Sequence, residues 1–343
     1  MRVAMYYNNR DVRLEELPRP KIGPGEALIK IHASGICGSD VMEWYRIKKA
    51  PIVLGHEIAG EIVELGEGVK GFSVGDRVTA THHVPCGRCE YCQRGQETLC
   101  ELLGKTTYDP GGFAEYVRVP AINIETGGML KLPDSVSYEE GSFTEPLGCV
   151  VRGMRVMGFE PARTVLVLGS GLSGQLVIRT ARALGAGKIL ATDLNDFRLE
   201  MARRSGAEVT IHAGREDVVE RVLEETGGEG ADYVIPTAGA PVLFDQALKT
   251  VRKGGTILLY GIMAPGTEVG FEVFPFWKKQ VKLLSTYAAA PRDLREALEL
   301  IRAGRVPVKD LITHRLPLAE TQKGFELTAA GGDSMKVIIE PQR

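Results

Sequence analysis

Residues 164–193 read TVLVLGSGLSGQLVIRTARALGAGKILATD, and their pattern indicates the fold class of the chain. An apolar run over Val165 to Leu168 predicts a buried strand, and a glycine turn, an amphipathic helix and a second strand follow it in order. The alternation continues, because AEVTIHA, ADYVIPTAG and GGTILLYGI predict strands and residues 217–226 and 242–252 predict helices. Strands joined by helical crossovers form parallel sheets with helices on both faces. The sequence therefore predicts an α/β fold with a doubly wound parallel sheet in this half of the chain.

The glycine turn has the spacing Gly169-x-Gly171-x-x-Gly174 between a strand and a helix. Glycines at these positions permit the tight turn, the approach of the backbone to a pyrophosphate and close packing of helix on strand, and the helix N-terminus favours the phosphate charge. Asp193, at the end of the next strand, can accept hydrogen bonds from ribose hydroxyls and would repel a 2′-phosphate, which favours NAD over NADP. The alternative is a glycine turn in an α/β fold that binds no nucleotide.

Composition restricts the class of protein. The chain has 343 residues, of which 44% are hydrophobic and 25% charged, as is typical of a folded chain with two domains. With 42 Lys and Arg against 44 Asp and Glu, a net charge of −2 offers no general electrostatic surface for nucleic acid. No apolar run approaches the roughly 20 residues that span a bilayer, and MRVAMYYNNR lacks the order of a signal peptide. We expect a cytoplasmic protein that binds neither nucleic acid nor membrane.

The first 120 residues have a different pattern from the second half. Short β-rich runs such as EALIKIHA, AGEIVELG and DRVTATHH are separated by turns of Gly, Pro and Asp. They predict a compact β domain. Near the C-terminus, KVIIE predicts one more strand, which returns to that domain.

Four of the six cysteines lie within fifteen residues, CGRCEYCQRGQETLC. In a reducing compartment this crowding favours a metal over disulfides, because free thiolates are excellent zinc ligands. Four protein ligands leave no open position on a tetrahedral ion, so the pattern indicates a structural zinc site. An iron–sulfur cluster is the competing metal, and disulfides or free thiols are further alternatives. The predicted ligands are Cys86, Cys89, Cys92 and Cys100.

A second set of metal-binding side chains is scattered along the N-terminal half: Cys37, His56, Glu57 and Glu145. One thiolate, one imidazole and one or two carboxylates suit a zinc ion that keeps one position open for water or substrate. Each residue also has a purely structural interpretation, as a buried thiol, a turn histidine or a helix-start carboxylate. Spacing alone does not join ligands so far apart in sequence.

Taken together, these motifs resemble the zinc-dependent medium-chain dehydrogenases, the family of alcohol, sorbitol and threonine dehydrogenases. The resemblance covers nearly the whole chain and rests on the order of GICGSD, LGHEIAGEIVELG, GDRV, the four-cysteine lobe, GGFAEYVRVP, TEPLGC and VLGSGLSG. It implies a GroES-like catalytic domain over residues 1–150 with the zinc lobe at 86–100, a Rossmann domain over 151–286, and a return to the catalytic domain over 287–343. It also implies an active site in the cleft between the domains.

The resemblance implies roles for the scattered residues. Cys37 and His56 would bind a catalytic zinc together with Glu57 or Glu145, and both carboxylates remain site residues because relatives differ in which one binds directly. Asp40 would hydrogen-bond a ligating imidazole and fix its tautomer.

A proton relay and a cofactor site are also implied. Ser39 matches the hydroxyl that carries the proton of the alcohol away. Many relatives have a histidine three residues later, whereas this chain has Met42, so Glu43 or water is expected to complete the relay. The implied dinucleotide-binding residues are Gly169, Gly171, Leu172, Gly174, Asp193 and Arg198.

The implied function is an NAD-dependent oxidation of a secondary alcohol, with two zinc ions per chain. A polyol, sugar alcohol, cyclitol or related polar molecule is the expected substrate, and threonine or butanediol is the alternative. A binding or structural protein on a dehydrogenase scaffold and a zinc-free quinone reductase are rival interpretations. The family further implies a homodimer or homotetramer.

Overall fold

A computed structural model describes all residues from 1 to 343. Sixteen strands are, in chain order, β1 (Arg2–Asn8), β2 (Asp11–Glu16), β3 (Ala27–Gly35), β4 (Ile52–Val53), β5 (Glu57–Leu65), β6 (Arg77–Ala80), β7 (Tyr116–Val119), β8 (Met129–Lys131), β9 (Thr164–Leu168), β10 (Lys188–Asp193), β11 (Val209–His212), β12 (Ala231–Pro236), β13 (Val251–Leu259), β14 (Lys282–Ser285), β15 (Ile312–Pro317) and β16 (Lys336–Glu340).

Twelve α-helices connect or flank these strands. They are α1 (Glu43–Arg46), α2 (Glu90–Gln93), α3 (Ala121–Glu125), α4 (Tyr138–Gly141), α5 (Thr144–Val156), α6 (Leu172–Ala183), α7 (Asp196–Ser205), α8 (Val218–Glu225), α9 (Pro241–Thr250), α10 (Val273–Lys279), α11 (Pro291–Arg302) and α12 (Thr321–Ala330). No helix is both long and apolar enough to cross a bilayer.

The chain forms two compact units, one of residues 1–149 and 288–343 and the other of residues 150–287. The domain limits expected from the sequence were 1–150, 151–286 and 287–343. The first change of unit falls within α5.

The second unit contains a parallel six-stranded sheet in the order β11-β10-β9-β12-β13-β14. This is the doubly wound order, in which a dinucleotide binds where the strand order reverses, beside the first strand. Leu168 and Thr192 are register partners on β9 and β10, so Gly169 and Asp193 follow at the same edge of the sheet. The predicted α/β fold with a parallel sheet is confirmed.

One helix in this unit ends earlier than predicted. The sequence pattern indicated a helix over residues 242–252, whereas α9 ends at Thr250. Val251 already pairs with Ala231 as part of β13, and this pairing with a neighbouring strand overrides the local helical pattern.

The first unit is built on a seven-stranded sheet, with the path β15-β16-β3-β5-β6-β8 and β7 paired to β3. A smaller antiparallel sheet has the order β2-β1-β4. The C-terminal strand β16 pairs with β3, with Ile338 opposite Gly35, so KVIIE returns to the β-rich domain as predicted. On its other side β3 pairs with β5 in antiparallel fashion, and this arrangement positions the candidate site.

Candidate functional site

The antiparallel pairing of β3 and β5 brings together residues that are distant in sequence. Gly35, the last residue of β3, lies opposite Glu57, the first residue of β5. Cys37 lies just beyond the end of β3, and His56 lies just before β5 begins. The end of one strand and the start of the next therefore present these side chains at the same edge of the sheet.

Cys37, His56 and Glu57 form a group that could hold a metal ion. Their ligand atoms all lie within 4.8 Å of one another, and His56 and Glu57 are buried. Glu145, the other predicted carboxylate, is not a member of this group. Thiolate, imidazole and carboxylate are a donor set that suits zinc with one position left open.

The Glu57 carboxylate is only half satisfied by the protein. Its Oε2 accepts a hydrogen bond from Lys336 Nζ, which also donates to the Ile36 carbonyl oxygen at 3.2 Å. Its Oε1 is buried and has no hydrogen-bond partner. A buried carboxylate oxygen without a partner is costly unless a cation or donor completes it, so this atom fits a metal ligand.

Asp40 contacts two members of the metal-binding group, one with each carboxylate oxygen. Its Oδ2 accepts a hydrogen bond from the Cys37 N–H at 3.0 Å, and its Oδ1 lies 3.4 Å from His56 Nδ1. Burial opposes the imidazolium form, but the nearby Asp40 and Cys37 still raise the pKa of His56 well above its ordinary value. A carboxylate on Nδ1 leaves Nε2 as the nitrogen for a metal, as expected for the role of Asp40.

Ser39 lies between the metal-binding group and an arginine that the sequence analysis did not single out. The Ser39 hydroxyl donates to Cys37 Sγ at 3.4 Å and accepts from Arg46 Nη2 at 2.8 Å. Met42 and Glu43 make no hydrogen bond with this hydroxyl. The available signal in the sequence was weak, since a basic residue in a short helix is usually a solvated surface charge.

The sequence analysis also did not identify His82 and His83 as neighbours of the candidate site. The His82 ring centroid lies 4.8 Å from that of His56 and 3.7 Å from that of His83. Burial lowers the pKa of His82 well below its ordinary value and the pKa of His83 to about 4, so both rings are neutral at pH 7. The pattern DRVTATHH predicted a strand through both histidines, but β6 ends at Ala80 and leaves them in the following loop.

Glu145 lies in the first turn of α5 and is largely buried. Burial raises its pKa, and the Cys149 thiol donates to Glu145 Oε1 at 3.6 Å. Cys149 is partly exposed. The structure thus pairs Glu145 with Cys149, and it brings Glu57 rather than Glu145 into the group with Cys37 and His56.

The four lobe cysteines converge as their spacing predicts. Cys86 Sγ lies 3.9 Å from Cys92 Sγ, and Cys89 Sγ lies 3.5 Å from Cys92 Sγ. Four sulfurs at about 2.3 Å from a tetrahedral ion would be about 3.8 Å apart. Gly87 and Gly95 adopt positive φ angles of 70° and 73°, which let this short loop curl. The ligand atoms of Cys86, Cys89, Cys92 and Cys100 all lie within 4.8 Å of one another.

When no cation is present, the pKa values of the lobe thiols move apart, because one thiolate disfavours the deprotonation of its neighbours. Backbone N–H groups of Arg88 and Cys89 lower the pKa of Cys86 to about 6. Burial and the neighbouring thiol of Cys89 raise the pKa of Cys92 to about 12. Four thiolates coexist here only around a cation, because each unbalanced charge disfavours the next.

The glycine turn of the second unit has the geometry that a phosphate-binding loop needs. Gly169 has a φ of 97°, and Gly171 is the N-cap of α6. A Cβ atom at Gly174 would lie 2.1 Å from the Gly169 carbonyl oxygen, so only glycine fits this approach of helix to turn. Leu172 is the first residue of α6.

Asp193 and Arg198 lie beside this turn. The Asp193 carboxylate accepts backbone hydrogen bonds from Ser170, Leu194 and Asn195 at 2.8, 2.8 and 3.0 Å, which fix its orientation. Arg198 Nη1 lies 3.9 Å from Asp193 Oδ2. Gly169, Gly171, Leu172, Gly174 and Asp193 therefore lie in the glycine turn, at the start of α6 or at the end of β10, and Arg198 in α7 lies beside them.

Comparison with known proteins gives a consistent result. The alcohol dehydrogenase GroES-like domain matches residues 23–134, and the zinc-binding dehydrogenase domain matches residues 174–303. Sorbitol dehydrogenase from Bacillus subtilis is 33% identical, covering 100% of this chain and 98% of its own length. L-threonine 3-dehydrogenase from Pyrococcus horikoshii is 36% identical, covering 93% of this chain and 92% of its own.

A solved structure supports the same assignment. The alcohol dehydrogenase TADH from Thermus sp. ATN1 is 32% identical and superimposes with a TM-score of 0.88, covering 99% of each chain. The GroES-like and Rossmann-like units, the four-cysteine lobe and these similarities agree. The chain belongs to the zinc-dependent medium-chain dehydrogenase family.

Proposed function

We propose that the protein is a zinc- and NAD-dependent dehydrogenase that oxidises a secondary alcohol of a polyol, sugar alcohol, cyclitol or related polar molecule to the ketone. The observation that carries the proposal is the group of Cys37, His56 and Glu57, whose ligand atoms lie within 4.8 Å of one another. Oε1 of Glu57 is buried without a hydrogen-bond partner, so a bound cation would offset the free-energy cost of burying this oxygen. Three protein ligands leave one position of a tetrahedral zinc ion for a substrate.

The residues of the chain have distinct parts in the reaction. When bound, zinc supplies a Lewis acid that polarises an alcohol oxygen, and the nicotinamide ring supplies the hydride acceptor. Asp40 holds His56 in the tautomer that leaves Nε2 free. Ser39 Oγ, adjacent to Cys37 Sγ, takes up the proton of the alcohol.

The preference for NAD over NADP rests on Asp193. Its carboxylate is fixed by three backbone N–H groups at the edge of the sheet where the glycine turn lies. A fixed carboxylate can accept hydrogen bonds from the ribose hydroxyls and repels a 2′-phosphate.

A polar substrate is favoured by the surroundings of the metal-binding group. The neutral rings of His82 and His83 are partly exposed, and each can donate and accept a hydrogen bond. A substrate with several hydroxyl groups could satisfy these ring nitrogens, whereas a simple alkyl alcohol could not. The similarity to both sorbitol dehydrogenase and L-threonine 3-dehydrogenase keeps threonine as the second candidate.

The experiment that tests the proposal is a screen for NAD reduction with sorbitol, xylitol, inositol, 2,3-butanediol and threonine. The low content of Asn and Gln favours an elevated assay temperature. We expect turnover of at least one polar secondary alcohol, a metal content of about two zinc ions per chain, and a loss of about 10³-fold or more in Cys37→Ala.

Two outcomes would contradict the proposal. Undiminished NAD reduction by Cys37→Ala would exclude the zinc mechanism. About one zinc ion per chain and no turnover with any alcohol would favour a binding protein on a dehydrogenase scaffold. The homodimer or homotetramer expected from the family resemblance remains a prediction, which sedimentation velocity can test.

A further inference from the structure

Arg46 contacts three groups around the Ser39 hydroxyl. Its Nη2 donates to Ser39 Oγ at 2.8 Å, and its Nε donates to the Ser39 carbonyl oxygen at 3.0 Å. The same Nη2 lies 3.5 Å from Asp40 Oδ1. One guanidinium thus holds the serine backbone, the serine hydroxyl and the carboxylate that supports His56.

The Arg46 side chain is itself held in place. Its backbone N–H donates to the Met42 carbonyl oxygen at 3.1 Å, and its guanidinium carbon lies 4.6 Å from the Tyr45 ring centroid. Only 13% of the side chain is exposed. A planar guanidinium with bonds in several directions has little freedom left, so the contact with Ser39 is preorganised.

The chemistry of arginine sets the direction of the serine hydroxyl. A guanidinium has donors and no acceptor, so Ser39 Oγ must accept from Arg46 with one of its lone pairs. The hydroxyl hydrogen must then point elsewhere, and the acceptor that the structure offers is Cys37 Sγ at 3.4 Å. The second lone pair remains available for the hydrogen of an alcohol.

We propose that Arg46 is the positioning residue of Ser39. The inference rests on the proposed function, in which Ser39 takes a proton from the alcohol on its free lone pair while its own hydroxyl hydrogen leaves Cys37 Sγ and passes to a water molecule. Arg46 neither gains nor loses a proton, because a guanidinium stays charged at every working pH. It fixes the hydroxyl and stabilises negative charge on its oxygen, in a chain where Met42 cannot act as a relay.

The first test is a double-mutant cycle with Arg46→Ala, Ser39→Ala and the double variant. Arg46→Ala should lower kcat by about 10- to 100-fold with little change in KM, because positioning and charge stabilisation are lost. If Arg46 acts through Ser39, the double variant should be no slower than Ser39→Ala. Lys48→Ala is the matched control, since it removes an exposed cation from the same segment and should leave kcat unchanged.

The second test needs no turnover. In cobalt-substituted protein, a hydrogen bond to Cys37 Sγ raises the energy of the sulfur-to-metal charge-transfer band. Ser39→Ala should therefore move this band to lower energy, Arg46→Ala should move it in the same direction by no more than that, and the double variant should move it no further than Ser39→Ala. The lobe sulfurs contribute equally to every variant and cancel in difference spectra. This result stands even if no alcohol substrate is found, so it separates this inference from the proposed function.

One further variant and one rescue experiment distinguish a positioning role from misfolding. Arg46→Lys keeps the charge, but one ammonium cannot serve the hydroxyl and the carbonyl oxygen together, so an intermediate loss of kcat is expected. Millimolar guanidinium should restore part of the activity of Arg46→Ala. Additive losses in the cycle, a loss in Arg46→Ala no larger than in Lys48→Ala, or an unmoved cobalt band would each overturn the inference.

Discussion

Lys336 and Glu57 form an ion pair in which neither side chain is exposed to solvent. The two residues open strands β16 and β5, which both pair with β3. A Cβ atom at Gly35 would lie 2.3 Å from Glu57 Oε2 and 2.5 Å from Lys336 Cε, so the glycine makes room for the pair. The ammonium balances one carboxylate oxygen and leaves the other for a metal ion.

Replacing Lys336 by Met should destabilise the zinc-free protein most. The substitution leaves a buried carboxylate without its counter-charge, a change that typically costs about 3–5 kcal/mol. Zinc offers Glu57 another cation, so the loss should be smaller in the zinc-loaded protein. Urea unfolding of both forms measures this difference, and adding Glu57→Gln should recover part of the stability. Equal losses with and without zinc would show that Glu57 gains nothing from the metal.

Replacing Cys92 by Ser should remove the structural zinc and spare the other metal-binding group. Cys92 Sγ lies 3.5 Å from Cys89 Sγ and 3.9 Å from Cys86 Sγ, so its loss opens a tetrahedral site. We expect the zinc content to fall from about two ions to about one per chain, together with a lower thermal midpoint. Metal analysis and calorimetry check this. Cys149→Ser, which changes a thiol outside the lobe, should keep both ions.

Replacing Asp193 by Gly should relax the choice of cofactor. The substitution removes the carboxylate that repels a 2′-phosphate, and Arg198 Nη1, 3.9 Å from that carboxylate, is then free to bind the phosphate. The ratio of kcat/KM for NADP to that for NAD should rise by at least about tenfold, or about 1.4 kcal/mol. Asp193→Asn retains an acceptor for the backbone N–H groups and should shift the ratio in the same direction. An unchanged ratio would argue against Asp193 as the ribose ligand.

The lowered pKa of His32 predicts a loss of stability in mild acid. Burial, with Lys30 nearby, lowers the pKa of this ring, which stacks on Tyr138 with centroids 4.5 Å apart. The unfolded chain binds a proton near pH 6.5 that the folded chain resists, so His32 lowers the stability as the pH falls through and below that value. The thermal midpoint of the natural protein should therefore fall relative to His32→Gln between pH 7.5 and 5.5. A difference in thermal midpoint between the two proteins that stays constant across this pH range would contradict the lowered pKa of His32.

Local spacing was sufficient to predict two parts of the molecule. The glycine turn of residues 169–174 and the cysteines of residues 86–100 each lie within one short segment, whose few residues confine the possible geometry. The parallel sheet followed from the alternation of strands and helices, and the family resemblance from the order of the motifs. The less reliable predictions lay at element ends. Val251 pairs with Ala231 as part of β13, and the pairing of β6 ends at Ala80, which leaves His82 and His83 outside the predicted strand.

The α/β class, the strand–glycine turn–helix pattern and the four-cysteine lobe followed from the sequence alone, because they depend on residues that are neighbours along the chain. The three-dimensional structure was needed to show that Glu57, rather than Glu145, lies in one group with Cys37 and His56. It also revealed the contacts of Lys336 and Arg46, which no spacing indicates. Strand register explains this difference, because the hydrogen bonds of β3 with β5 and β16 set which distant side chains meet, and a linear pattern does not encode that pairing.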